Sequence, residues 1–209
     1  MSSREEILEK LKNSCGIKDF VPEITKDPVS FIKDDVDMFS EFKNRIVENK
    51  SILHENTSDI ASEINTIIEN EGVKNLIYPS NLPIDINSLN IENKFEFNKN
   101  IEEFKEKIFE YDVSIIQARF GVSSHGVLCI SASKEQPRTL SLTPRVCIAL
   151  LKKENIVKSL SEALNKIKEQ DGRLPTNTIF ISGPSRTSDI ELQLVIGVHG
   201  SQIMHVILY

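Results

Sequence analysis

The feature that most constrains this chain is its rhythm. Short apolar runs of strand length alternate with stretches whose apolar residues recur at helical spacing. In the first half the strand-like runs are "SILHE", "VKNLIYPS", "FEFN" and "DVSIIQA". Before and between them, Val36, Phe39, Phe42 and Ile46 form one helical stripe. Ile60, Ile64, Ile67 and Ile68 form another, which Thr57 or Ser58 would cap and Gly72 would end. A further helix is expected through Phe104 and Ile108. Strands alternating with helices predict a parallel sheet covered on its faces. The expected class is therefore α/β, a three-layer helix–sheet–helix with a mixed, mostly parallel sheet.

The second half changes character. "GVLCISA", "TLSLTP" and "RVCIALL" follow one another closely with turn signals between them, which suggests an antiparallel or meander insert. The stretch "NIVKSLSEALNKIKEQ" reads as a helix, "TIFIS" as an interior strand and "MHVILY" as a last strand. At the other end, Ile7, Leu8 and Leu11 share a helix face, and Ser3 with Glu6 makes a capping box. Gly16, Pro22 and Pro28 then mark a connection. Residues 1–30 are thus a helical arm and connection on a single domain of 1–209, and a chain of this size buries about 70% of its unfolded surface without staples.

Charge and cysteine usage exclude several functions. A net charge of −6 gives no cationic footprint for nucleic acid or an anionic membrane. With 6% aromatic residues and no Trp there is little for bases to stack on. Cys15, Cys129 and Cys147 are scattered, so neither a metal site nor an iron–sulfur cluster of the chain's own is expected, and no cofactor. No apolar run approaches the roughly 18 residues that span a bilayer, and the charged start is no leader peptide, which points to the cytoplasm.

One stretch combines these signals with chemistry: "TIFISGPSRTSDIELQLVIGVHG". Gly183-Pro184 stops the strand. Ser188 and Glu191 fit a second capping box, so a helix carrying Ile190, Leu194 and Ile196 is expected after it. Strand, glycine turn and helix N-terminus would make an anion cradle, with Arg186 as a planar clamp and Ser185, Thr187 and Ser188 as hydroxyl donors. The competing reading pairs Arg186 with Asp189 or Glu191. No P-loop or dinucleotide fingerprint is present.

"GPSRTSDIELQLVIGVHG" followed by "MHVILY" resembles the C-terminal signature of the LUD domain proteins, in particular the lactate utilization protein C group. "GVLCI", "LSLTP" and "NIV" resemble that family upstream. The resemblance implies a fold akin to the NagB/RpiA/CoA-transferase group. It also implies work beside iron–sulfur oxidoreductase subunits that oxidise L-lactate to pyruvate. Ser124 and His125, before Gly126, stand where the family has an acid and a threonine, and Cys147 stands where it has a histidine. In CoA-transferase-like enzymes the acid of such a loop is the nucleophile; Ser124 would need a base, and His125 reaches it only if the chain turns there. His199, between Gly197 and Gly200, is expected to face a cleft, and His205 to be a half-buried strand residue. Arg119 and Arg145 are each expected to form a surface ion pair, with a place in the same cleft as Arg186 as the other reading, and His54 has nothing converging on it in sequence.

Overall fold

A computed structural model describes residues 3–14, 36–55, 59–98, 104, 106–189, 193–196 and 200–209. The helices are α1 (Ser3–Ser14), α2 (Met38–Glu48), α3 (Ile60–Glu71) and α4 (Leu160–Asp171). The strands are β1 (Ile52–His54), β2 (Asn75–Pro79), β3 (Asn93–Phe97), β4 (Val113–Gln117), β5 (Phe120–Val122) and β6 (Val127–Ser131). They continue as β7 (Val146–Leu151), β8 (Ile156–Val157), β9 (Thr178–Ile181), β10 (Arg186–Asp189), β11 (Gln193–Ile196) and β12 (Ile203–Leu208). The chain divides into two compact units, Met1–Phe31, which holds α1, and Ile32–Tyr209, which holds everything else named above.

In the larger unit a six-stranded sheet has the order β1-β12-β7-β4-β2-β3, parallel throughout. Its central strands are buried on both faces, and the side-chain alternation shows how. In β7, Val146, Ile148 and Leu150 pack with α3 through Ile64, Ile67 and Ile68. Cys147, Ala149 and Leu151 pack on the opposite side with Phe42 and Ile46 of α2. Each fully buried aliphatic side chain contributes about 1.5–3 kcal/mol, so this two-sided packing is what makes parallel pairing stable here. α3, the parallel sheet and α2 are the expected helix–sheet–helix layers.

A four-stranded sheet, β8-β5-β6-β9, takes in "GVLCISA" alone of the three runs expected to form an insert. Its β5–β6 and β6–β9 pairs are antiparallel. Leu128, Ile130 and Ile156 face the core shared with α2 and the parallel sheet. Phe120, Val122, Cys129 and Val157 face the other way, onto Ala163 and Ile167 of α4.

Several expectations are corrected. "RVCIALL" is not part of the insert but the parallel strand β7. "TLSLTP" is not a strand: Arg138–Ser141 form a single 3-10 turn between Pro137 and Pro144, which lack the amides a ladder needs. "TIFIS" is not interior, because β9 ends the order of the smaller sheet and is half-buried along its length. Its composition reports what its faces touch and says nothing about its edge. Asp59, not Thr57 or Ser58, caps α3 by accepting from the Ser62 amide at 3.1 Å; those two residues lie outside the described set. Of the helix expected through Phe104 and Ile108, Phe104 is helical, residues 101–103 and 105 lie outside the described set, and Lys107–Glu110 form a 3-10 turn; Phe104 and Ile108 are buried.

The largest correction is the helix expected after Ser188. The chain forms a hairpin there, with Arg186 opposite Ile196 and Ser188 opposite Leu194. The stretch is rich in β-branched residue types, whose preference for extended backbone outweighs a four-residue cap pattern. Glu191 lies outside the described residues.

Candidate functional site

The residues singled out from sequence do not share one cleft. Two groups meet at the C-terminal end of α2. The first is the turn from β5 to β6. Here Ser124 and His125 do come together, with Ser124 Oγ 2.7 Å from His125 Nδ1. The turn is clamped by Asn49, whose side-chain amide donates to the carbonyls of His125 at 2.8 Å and Gly126 at 2.9 Å. Gly126 has φ +59° and lies against the Arg45 backbone, leaving no room for a Cβ. A hydroxyl beside an imidazole is the geometry of an activated nucleophile. Ser124, however, is only 1% exposed. Its hydroxyl serves the turn.

The second group is Gly183 to Arg186. Gly183, at φ +79°, presses on the Asn49 carbonyl where a Cβ would stand. Gly183, Pro184, Ser185 and Arg186 line a cavity of about 350 Å³ with Ser201 and Met204. The Ser185 amide donates to the Ser201 carbonyl at 2.8 Å, and the Ser201 hydroxyl donates to the Ser141 carbonyl at 3.2 Å. Arg186 is exposed, and its Nη2 donates to the Ser182 carbonyl at 3.2 Å. Thr187 and Ser188 contribute backbone to β10, and His199 lies outside the described residues. Arg186 to Asp189 form a strand, so among the described residues no helix dipole points at this cavity.

Cys147, at the position of the family's histidine, is fully buried and paired in register with Met204 and Ser114. Burial pushes its thiol up to about 12, with the hydroxyls of Ser114 and Ser201 opposing. Cys129 is pushed up to about 11, also by burial. Both stay protonated at neutral pH and are poor nucleophiles.

Arg119 and Arg145 lie elsewhere. Arg119 lines a separate cleft, where its Nη1 donates to Asp171 at 2.5 Å and its Nη2 to Gln170 at 2.6 Å. Arg145 donates to the Glu71 carbonyl at 2.8 Å and lies 3.4 Å from its carboxylate. That glutamate ends a chain of groups that sequence reasoning missed. Glu63 Oε1 is 2.5 Å from His54 Nδ1, His54 Nε2 is 2.9 Å from His205 Nδ1, and His205 Nε2 is 3.4 Å from Glu71 Oε1. With both rings neutral, His54 donates to Glu63 and His205 donates to His54. The buried His205 Nε2 then faces a carboxylate and has no hydrogen-bond partner. Burial holds His205 below the ordinary imidazole range, His54 adds to this, and Glu71 opposes it. His205 is 4% exposed, deeper than the half-buried position expected. The available signal was Glu63 and Glu71, about two helical turns apart and so on one face of α3.

The sequence model of the LUD domain matches residues 5–209. The chain belongs to the LUD domain family. Among curated LUD relatives, an uncharacterized protein of Neisseria meningitidis, NMB1437, is 33% identical over 141 residues, 63% of this chain and 59% of that one. Lactate utilization protein C of Shouchella clausii is 38% identical over 91 residues, 43% of this chain and 40% of that one. Its namesake from Halalkalibacterium halodurans is 35% identical over 102 residues, 47% and 44% of the two chains. The chain thus spans 59%, 40% and 44% of these relatives' lengths. A crystal structure of a DUF162 family protein from Deinococcus radiodurans superposes with a TM-score of 0.60 at 17% identity, covering 82% of this chain and 95% of that one. The LUD fold is therefore the mixed α/β architecture described above. No helix among the described residues is long and apolar enough to cross a membrane.

Proposed function

We propose that this LUD domain protein is a lactate utilization protein C-like subunit or accessory protein. It supports oxidation of L-lactate to pyruvate in the cytoplasm, beside iron–sulfur subunits that carry the electrons, and brings no metal or cofactor itself. The observation that carries this reading is the LUD match over residues 5–209, together with relatives called lactate utilization protein C at 38% and 35% identity. An accessory role fits the chemistry of the turn, since Ser124 replaces the family's acid and is sealed from solvent. Of the two alternatives, a stand-alone transferase or isomerase for a CoA ester or a sugar phosphate would need a nucleophile that Ser124 at this depth does not supply, and a diverged non-catalytic scaffold would bind partners without supporting lactate oxidation.

Co-purification from lactate-grown native cells tests the reading. Iron–sulfur subunits should co-purify, and deleting the gene should stop growth on L-lactate but not on pyruvate. Growth unchanged and no such partner would overturn it.

Within this reading the cavity beside Gly183 takes an anionic group, a carboxylate or a partner's acidic side chain, through Ser185, Arg186, Thr187, Ser188 and His199. What supports this is the cavity and the exposed guanidinium at its rim. Arg186→Lys should weaken lactate or partner binding despite keeping charge, because the planar fork is lost. Arg186→Ala should weaken it further while the melting temperature stays put. Intact affinity with a lower melting temperature would make the arginine structural.

A further inference from the structure

A polar cleft lies where none of the sequence motifs pointed, apart from Arg119. In the parallel sheet β2 and β4 are neighbours, and their onward connections leave in opposite directions. The chain goes from β2 outward to β3, whereas from β4 it goes by way of the small sheet to β7 on the other side. Where adjacent strands send their connections apart, the carboxyl ends leave a crevice that no connection covers, and open α/β sheets bind ligands there. A cleft of about 400 Å³ occupies this point. Its walls are the carboxyl ends of β2, at Pro79 to Asn81, and of β4, at Gln117 to Arg119.

The backbone around it is fixed. The Ala118 amide donates to Leu150 of the large sheet at 2.9 Å, and the Arg119 amide donates to Cys129 of the small sheet at 2.9 Å, so the two sheets part at the floor of the cleft. The Gln136 side chain accepts from the Gln117 amide at 2.8 Å and donates to its carbonyl at 3.0 Å, completing the end of β4. Asn81, at φ +64°, turns the chain away from the end of β2.

We infer that this cleft is a binding site for a small, uncharged, hydroxyl-rich molecule such as an unphosphorylated sugar or polyol. The chemistry of the walls selects that class. Asn81, Gln117 and Asn155 present carboxamides, and Ser80 presents a hydroxyl. These groups both donate and accept, as ligand hydroxyls do. A phosphate or CoA ester demands an excess of donors and positive charge. Of the two cations of the wall, Arg119 is held by Asp171 at 2.5 Å, and Lys152, 3.9 Å from Glu154, is balanced by the carboxylates of Glu154 and Glu135 in the same lining. No aromatic ring lines the cleft, so binding rests on hydrogen bonds.

Saturation-transfer NMR on the full chain tests the site with ribose, glucose, ribose 5-phosphate and L-lactate as probes. The unphosphorylated sugars should take up saturation and the two anions should not. Asn81→Gly keeps the turn and removes a carboxamide, and Ser80→Ala removes a hydroxyl. Each should weaken sugar binding about fivefold, the share of one hydrogen bond, at an unchanged melting temperature. Binding confined to the anions, sugar binding that neither variant alters, or no binding of any probe would each overturn the assignment. The lactate-growth test is independent of all three outcomes.

Discussion

Asn49 shapes the α2 end of the site more than the Ser124–His125 pair it holds. Its amide satisfies two carbonyls of a turn that comes 76 and 77 positions later in the chain, and its own carbonyl meets Gly183. Asn49→Ala should cost about 1–3 kcal/mol in chemical denaturation, since it leaves those acceptors without their donor. Ser124→Ala should cost less, which would separate a clamp from a catalytic pair. The sequence named Ser124, His125 and Gly126 but not Asn49, because nothing local marks a residue whose partners are so distant. His54 was passed over for the same reason. His205 also sets a pH dependence. Its folded form resists protonation because of burial and His54, against the pull of Glu71 and Glu63. The unfolded chain therefore takes up the proton first. Stability is fully present above the ordinary imidazole value of 6.5 and is lost as pH falls below it. The slope should be at most about 1.4 kcal/mol per pH unit for this one proton. Melting curves between pH 5 and 8, chosen on either side of about 6.5, should show the loss in the wild type and a flatter profile in His205→Gln; an equal slope in both would refute the assignment.

At the scale of elements, legibility followed the length of the pattern. α2, α3 and α4 each repeat their apolar spacing over several turns, and each was read correctly in kind. β7 and β12 were visible as runs, but whether a run pairs in parallel or antiparallel is decided by partners far away in sequence. The hairpin of β10 and β11 was misread because a cap pattern occupies only Ser188 to Glu191, whereas the pairing that wins is spread over both strands. A true cap occurs at α4. The Ser159 hydroxyl accepts from the Glu162 amide at 3.1 Å, and the Glu162 carboxylate accepts from the Lys158 amide at 2.9 Å. Ser159→Ala should destabilise the protein by about 1 kcal/mol, read from the denaturation midpoint. Ser188→Ala should not carry that cost, because no helix begins there.

For the whole molecule, the two-sided burial of the parallel strands was legible because continuous aliphatic runs have few other uses in a chain of this charge. The place of the second sheet was not, since its inner residues look like any strand until their neighbours are known. That placement has a mechanical consequence. Leu128 and Ile130 of the small sheet share one core with Ala149, Leu151 and Val206 of the large one, and α2 closes both. The small sheet cannot separate without exposing residues of the large sheet to water. The larger unit should therefore unfold in a single transition in calorimetry, even though it exceeds the roughly 150 residues within which two-state behaviour is usual. Leu128→Ala in the small sheet and Ile207→Ala in the large one should each lower that same transition, by about 2–5 kcal/mol. Hydrogen exchange should slow together in β6 and β7 under conditions where global opening dominates. A first transition sensitive only to Leu128→Ala would show that the sheets are separate folding units, and the cleft between them would then open before the molecule unfolds.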